Sequence, residues 1–469
     1  MTLSQIISEL QESFEQGKTL PVPWRKAQLR NLWHLITDNQ DRFINTIQKD
    51  LAKPKVQTQV LEIVCVANDI VHCLQNLDQW LQEEMVPTAP PFQYWSPVIR
   101  RRPKGNCLIL GTWNYPLTLT LLPFVGLIAA GNTGILRPSE YAPHTADLLM
   151  ELFPKYLDSS CFRCVNGGKE AAIALLEHPF SHILFTGSET VGKDVMKGAA
   201  KHLTPVTLEL GGRNAVIISD KANVQLAAKR TLWAKFANAG QTCFAPNVAI
   251  VLEPVFEEFL ANIKETYRDF YKGEAQVRTV GRIVNAAQFQ RVQSLLSSTK
   301  GNVVLGGRVD DNQLFVEPTV VTGLLEDDVL LQSEIFGPIL PIVRAVDIDH
   351  AKALAKTIAP ESLGLYVFSE DIDEANYIVN TLPNGSSAIN DVMAQIAPSS
   401  TPFGGFGRSG FGAYRGKASI DTFSHLQSTV TVPTSAEFET MLEWRYPYAE
   451  PDSTVDFIRQ NLLAKLPES

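Results

Sequence analysis

The sequence predicts an α/β fold built from parallel sheets with helices on both faces. Three observations point to it. From Asn106 onward, short apolar runs alternate with helical stretches; a second alternation of the same kind begins at Asn214; and 469 residues suffice for two to four domains. Hydrophobic residues make up 45% and charged residues 19%, ordinary globular usage that excludes a mainly disordered chain.

Residues 1–84 read as helical, with Leu29, Leu32, Trp33 and Ile36 on one face. The N-terminus carries acidic residues early and lacks a basic start before an apolar core, so it reads as an amphipathic helix and not a secretory signal. Residues 85–103 are rich in proline and aromatics, which suits extended segments or a hairpin. In the first alternation, strands are expected at Cys107–Leu110, Gly134–Leu136, Phe162–Val165, His182–Phe185 and Val206–Leu210, with helices over about 117–130, 143–153, 168–177 and 189–201. The uncharged run Tyr115–Leu136 is long enough to span a bilayer, but its prolines, glycines, Asn132 and threonines favour a buried helix and strand.

In the second alternation, strands are expected at Ala215–Ile218, Asn247–Leu252, Asn302–Leu305, Phe315–Val321, Ile339–Val343 and Leu365–Phe368, with helices over 222–237 and 254–271. Residues 402–412 form a glycine-rich loop, and 422–433 is placed to pair with 85–103. In the tail, Ser453 and Asp456 have capping-box spacing, and Val455, Ile458, Leu462 and Leu466 would share one helix face. That helix either covers a channel mouth, touches a lipid surface, or packs against its own subunit; packing is slightly favoured.

A net charge of −9 and the absence of a basic tract argue against nucleic acid as the main partner. Six cysteines are too sparse for a disulfide scaffold, so a reducing, cytoplasmic setting is expected. The eight histidines show no H-E-x-x-H spacing, so no metal site is expected.

Four segments carry possible chemistry. In FANAGQTCFAPN, Cys243 lies in a loop between a helix and a strand, where a thiol can face a cleft, although most cysteines are small buried hydrophobes. In LELGG, a strand delivers Glu209 to its end, and an apolar setting would raise its pKa toward a general base; a strand-end carboxylate pairing with a cation is the plainer alternative. In LGTWNYP, Asn114 either caps a helix or donates to a developing oxyanion. In ILFTGSETVGK, a strand runs through Gly187 into a helix with Gly192 in its first turn, which offers free N–H groups to phosphate. C-x-x-C spacing at CFRC, 161–164, falls in a strand and reads as structural.

Taken together, TWNYP, RPSE, FTGS, LELGG, GQTC, EIFGP and PFGGFGRSG, in that order, resemble the aldehyde dehydrogenase superfamily over nearly the whole chain. GKASIDTFSH, 416–425, is most similar to class 3, the fatty and aromatic aldehyde enzymes. The resemblance implies a doubly wound dinucleotide-binding domain (1–84 and 104–210), an α/β catalytic domain (211–400), a small β bridging element (85–103 and 417–433) and a C-terminal extension (434–469). It implies Cys243 as nucleophile, Glu209 as general base and Asn114 as oxyanion donor. It also implies NAD or NADP bound by Trp113, Arg137, Glu140, Thr186, Gly187, Ser188, Val191, Gly192, Glu334 and Phe336.

The implied activity is oxidation of apolar aldehydes (medium- or long-chain, aromatic or apocarotenoid-like) to carboxylic acids through a Cys243 thiohemiacetal and thioester. The implied assembly is a homodimer. There are departures from the family pattern. Arg137 stands where lysine is usual and can reach a 2′-phosphate, while Glu140 can hold the adenosine ribose, so both nicotinamides stay open. Phe244 puts a large group next to the nucleophile. The rivals are a relative that passes the acyl group to coenzyme A, which Glu209 disfavours, then a noncatalytic binding protein, and last a thioredoxin-type enzyme using CFRC.

Overall fold

The computed structural model describes residues 2–88, 92–272, 275–446, 451–464 and 466. The first sheet runs, in spatial order, Val206–Leu210, His182–Gly187, Asn106–Leu110, Thr133–Arg137 and Phe162–Cys164, all parallel. Asn106–Leu110 and Thr133–Arg137 are buried at every position, as strands covered on both faces must be. The chain fills one side of Asn106–Leu110 with its next two strands, then crosses to the other side with His182–Gly187. That reversal is a topological switch point, and the crevice at its carboxyl end is where doubly wound sheets bind ligands. It lies between Gly111–Asn114 and Gly187–Ser188.

The second sheet has seven strands, in the order Asn302–Leu305, Thr319–Thr322, Ile339–Ala345, Pro246–Leu252, Asn214–Ile218, Ser362–Phe368 and Asn384–Ile389. Only the pairing of Asn302–Leu305 with its neighbour is antiparallel. A third sheet joins Glu84–Met85, Ser96–Pro103 and Ser424–Thr431, all antiparallel. The pairing of the two distant segments is therefore as expected.

Several elements differ from the sequence reading. The expected strand 315–321 is split: Phe315–Val316 pairs with Val309–Asp310, and Thr319–Thr322 joins the large sheet. Pro318 has no N–H to give a ladder, which ends the first pairing. The glycine-rich loop is not only a loop, because Gly410–Phe411 adds an antiparallel edge beside Glu209 and Leu208. Gly410 has φ +124, and a Cβ there would sit 2.0 Å from the Leu208 carbonyl oxygen. Among the described residues the tail helix spans Pro451–Asn461, so Ser453 lies within it. No residue of that helix is fully buried, but Ile458 within it and Leu462 just beyond it are half-buried, Val455 is exposed, and the helix touches the turn Glu443–Arg445.

The helix Thr118–Ala130 is buried at every position. It is a core element and not a membrane span, as an all-round apolar helix inside a large protein should be. Lys55–Trp80 is the one helical run among the described residues that is long and apolar enough to cross a membrane. It carries buried Glu62 and Asp69 on the face that also buries Ile63, Val66, Ile70, Cys73 and Leu77, the face of a helix packed inside a protein. This run is not one continuous α-helix: residues Gln59–Val64 form a π turn.

Candidate active site

Glu209 sits at the carboxyl end of Val206–Leu210, and Asn214 begins the first strand of the second sheet. The Cys243 loop precedes Pro246–Leu252, so it meets Glu209 where the two sheets abut. Cys243 and Glu209 are 5% and 1% exposed, and each acts on the ionisation of the other. Burial pushes the Glu209 carboxyl up to about 8, with the Glu334 charge adding to it and Cys243 and Thr186 opposing. Burial and the Glu209 charge push the Cys243 thiol well above its usual range.

Both Glu209 carboxylate oxygens and the hydroxyl of Thr186 lack a complete hydrogen bond. Buried polar groups without partners are costly, and they point to a place where something else is bound. The Cys243 backbone N–H lies beside its own sulfur.

The loop is held by amide side chains. Asn214 Nδ2 donates to the carbonyls of Cys243 and Ala245, both at 2.8 Å, and the Gly364 N–H donates to Asn214 Oδ1. Asn114 is buried four residues before the helix Thr118–Ala130, so it caps nothing. Its Nδ2 donates instead to the Gln241 carbonyl at 3.1 Å. Gln241 Nε2 donates to the Asn238 and Arg282 carbonyls. Asn247 Nδ2 donates to the Ser333 carbonyl, and its oxygen accepts from the Ile335 N–H. The Tyr115 and Thr242 hydroxyls share a hydrogen bond of 2.8 Å.

Gly211 and Gly212, which follow Glu209, both meet Glu334. A Cβ at Gly211 would fall 2.3 Å from Glu334 Oε2, and the Gly212 N–H donates to Glu334 Oε1 at 3.2 Å. Burial brings the Glu334 carboxyl up to about 7. Phe336, in the left-handed region at φ 43, meets the edge of Trp113 with ring centroids 5.5 Å apart. At the switch point, Ser188 Oγ caps the helix Glu189–Ala200 by accepting from Val191 N–H. A Cβ on Gly187 would strike the Phe185 ring at 2.4 Å, and one on Gly192 would meet Leu210.

Arg137 and Glu140 lie one strand over. Arg137 Nη2 donates to Glu140 Oε2 at 2.7 Å and to the Gly167 and Gly168 carbonyls. Glu140, Pro143, Asn166, Gly167 and Gly168 line an open crevice there. A dinucleotide fits this surface: helix N–H groups and glycines for its phosphates, a carboxylate for a ribose, and unpaired Thr186 and Glu209 beside the thiol.

Next to Phe244, the residue after the thiol, lies a largely apolar pocket lined by Leu61, Tyr115, Leu119, Leu122, Phe244 and Met393, with Arg415 at its wall. Phe244 packs against Phe403 with centroids 5.5 Å apart.

The aldehyde dehydrogenase family model matches residues 2–429. The chain belongs to the aldehyde dehydrogenase family. It is 39% identical to human aldehyde dehydrogenase family 3 member B1, over 96% of this chain and 95% of that protein. It is 38% identical to the 4,4′-diaponeurosporen-aldehyde dehydrogenase of Staphylococcus aureus, over 90% and 92%. A solved structure of Staphylococcus aureus AldH in a substrate-bound state superposes with a TM-score of 0.92 at 35% identity, covering 98% of this chain and 99% of that one.

The chain is thus an oxidoreductase acting on aldehydes with a nicotinamide cofactor. Sequence reading missed Asn214, Asn238, Gln241 and Asn247 as scaffolding. The amide-rich FANAGQTCFAPN was the available signal for the last three. Nothing in the sequence pattern marked Lys53 or Glu62, which lie behind Asn114.

Replacing Asn214 by Ala leaves the Cys243 and Ala245 carbonyls and the Gly364 N–H unpaired in the interior. The expected loss is about 3 kcal/mol of stability, read as a lower urea midpoint with unchanged slope.

Proposed function

We propose that Cys243, Glu209 and Asn114 carry out aldehyde oxidation as nucleophile, general base and oxyanion donor. The observation that carries this reading is the burial of Cys243 and Glu209 together where the two sheets meet, with the carboxyl held up to about 8 and its oxygens free of other partners. The ionised Glu209 carboxylate accepts the Cys243 thiol proton. The thiolate adds to the carbonyl carbon, forming the C–S bond while the carbonyl electron pair moves to oxygen. One N–H of Asn114 Nδ2 is committed to the Gln241 carbonyl. The other serves the new oxyanion together with the Cys243 backbone N–H, and each good donor is worth about 3–4 kcal/mol.

Bound nicotinamide, held by Trp113, Thr186, Gly187, Ser188, Val191, Gly192, Glu334 and Phe336, supplies the hydride acceptor. Glu209 must then shed its proton before it can take one from the water that hydrolyses the thioester. In this division of labour the sheet of 104–210, with the helices of 1–84, holds the dinucleotide; residues 211–400 present the thiol.

The preferred cofactor is NAD. Arg137 is engaged by Glu140 and two carbonyls, which leaves a carboxylate at the crevice mouth to accept ribose hydroxyls and repel a 2′-phosphate. The substrates are apolar aldehydes of medium or long chain, aromatic or apocarotenoid-like, in keeping with the apolar pocket wall and with a relative named for a diaponeurosporen aldehyde. The protein works as a homodimer in the cytoplasm. Support for the dimer is the open edge of Ser424–Thr431, with Leu426 and Val430 exposed. Support for the compartment is six free cysteines.

Cys243→Ala abolishes oxidation while NAD binding survives, measured by NADH absorbance and by cofactor titration; full turnover would remove the covalent step. Because the base form of Glu209 grows above about pH 8, the turnover rate rises as pH passes that value. Glu209→Gln removes this rise and slows steady turnover by about 100-fold or more. Glu140→Gln raises the NADP-to-NAD ratio of kcat/KM about tenfold, about 1.4 kcal/mol at the adenosine end; an unchanged ratio refutes the NAD preference. Phe244→Val shifts kcat/KM toward bulkier aldehydes across a graded panel, by roughly tenfold.

A further inference from the structure

Behind the Asn114 loop lies a buried ion pair that no step of the reaction uses. Lys53 and Glu62 are both fully buried, with Nζ 2.5 Å from Glu62 Oε1. Isolated buried charges are expensive, and a pair survives inside only where its remaining bonds are well made. These are. Lys53 Nζ also donates to the Asn114 backbone carbonyl at 3.0 Å and stands 4.0 Å over the Tyr115 ring. Glu62 Oε2 accepts the N–H groups of Leu117 and Thr118 at 3.1 and 3.0 Å, at the start of the helix Thr118–Ala130. The pair therefore grips the Asn114 segment at both ends.

The same short stretch reaches the thiol loop. Asn238, held in the left-handed region at φ 54, donates from Nδ2 to the Asn114 carbonyl at 2.8 Å and to the Gln241 carbonyl at 3.2 Å. Its own N–H donates to Gln57 Oε1 at 2.9 Å. Glu62 is delivered by the π turn Gln59–Val64, a local widening of the helix common at functional sites.

We propose that Lys53 and Glu62 are positioning residues for the oxyanion donor: by clamping the Asn114 carbonyl and the helix start beyond it, they fix where the second Asn114 N–H points. The inference rests on Asn114 being that donor. Lys53 and Glu62 touch no reacting atom and act only through Asn114.

The test is a double-mutant cycle on the intact enzyme with NAD and an aldehyde. Lys53→Met, Glu62→Gln, Asn114→Ala and the double variants are compared by pre-steady-state NADH formation, aldehyde KM, NAD affinity and Tm. Glu62→Gln keeps an oxygen for the Leu117 and Thr118 N–H groups while removing the anchoring charge, so it answers the question if Lys53→Met fails to fold. Each single variant is expected to slow NADH formation by about 10–100-fold, the effect of misplacing a reacting group by about an ångström, with KM and NAD affinity little changed. In the Asn114→Ala background the same change should cost nothing further. Equal losses in both backgrounds, or a raised KM with kcat intact, overturn the inference. An Asn114→Ala enzyme of full rate overturns instead the reading of Asn114 on which it depends.

Discussion

The site depends on one constraint: the loop carrying Cys243 must be pinned where the carboxyl edge of one sheet meets the amino edge of another. Backbone at such a junction cannot pair in a ladder, and buried unpaired carbonyls are costly. Amide side chains solve the problem, because each carries donors and an acceptor on a short, neutral stem. Asn214 holds the Cys243 and Ala245 carbonyls, while Asn238, Asn114 and Gln241 tie the thiol loop to the loop after the first central strand. The Cys243 loop and the Asn114 loop are thereby fixed to each other through main-chain carbonyls.

The same burial sets the protonation states. A carboxyl raised to about 8 beside a thiol raised further holds the pair neutral near pH 7, so neither group is ionised without need. Two acids sharing one dry space discourage each other's ionisation, which fits a pair that passes a proton back and forth. Glu334 sits close enough to add its own charge, and the missing side chain of Gly211 leaves it room. The apolar pocket is walled by Phe244, the residue after the thiol, and by Phe403.

Much of the fold was legible because strands buried on both faces read as short apolar runs: Val206–Leu210 and Thr133–Arg137 fall where the sequence places them. Asn384–Ile389 was not legible. NGSSAI is mostly small and polar, and it is a strand only because Ser362–Phe368 offers it an edge. Gly410–Phe411 was hidden for the same reason. The thiol, carboxyl and asparagine stood out by motif, but the residues holding them did not, since Lys53, Glu62 and Asn214 acquire meaning only from partners far away in sequence.

The most direct test of the account is the mass of the protein during turnover. In the Glu209→Gln enzyme supplied with NAD and a slow aldehyde, rapid acid quench followed by peptide mass analysis should find the acyl group accumulating on the peptide that contains Cys243. Continued formation of acid with no added mass on that peptide would contradict it.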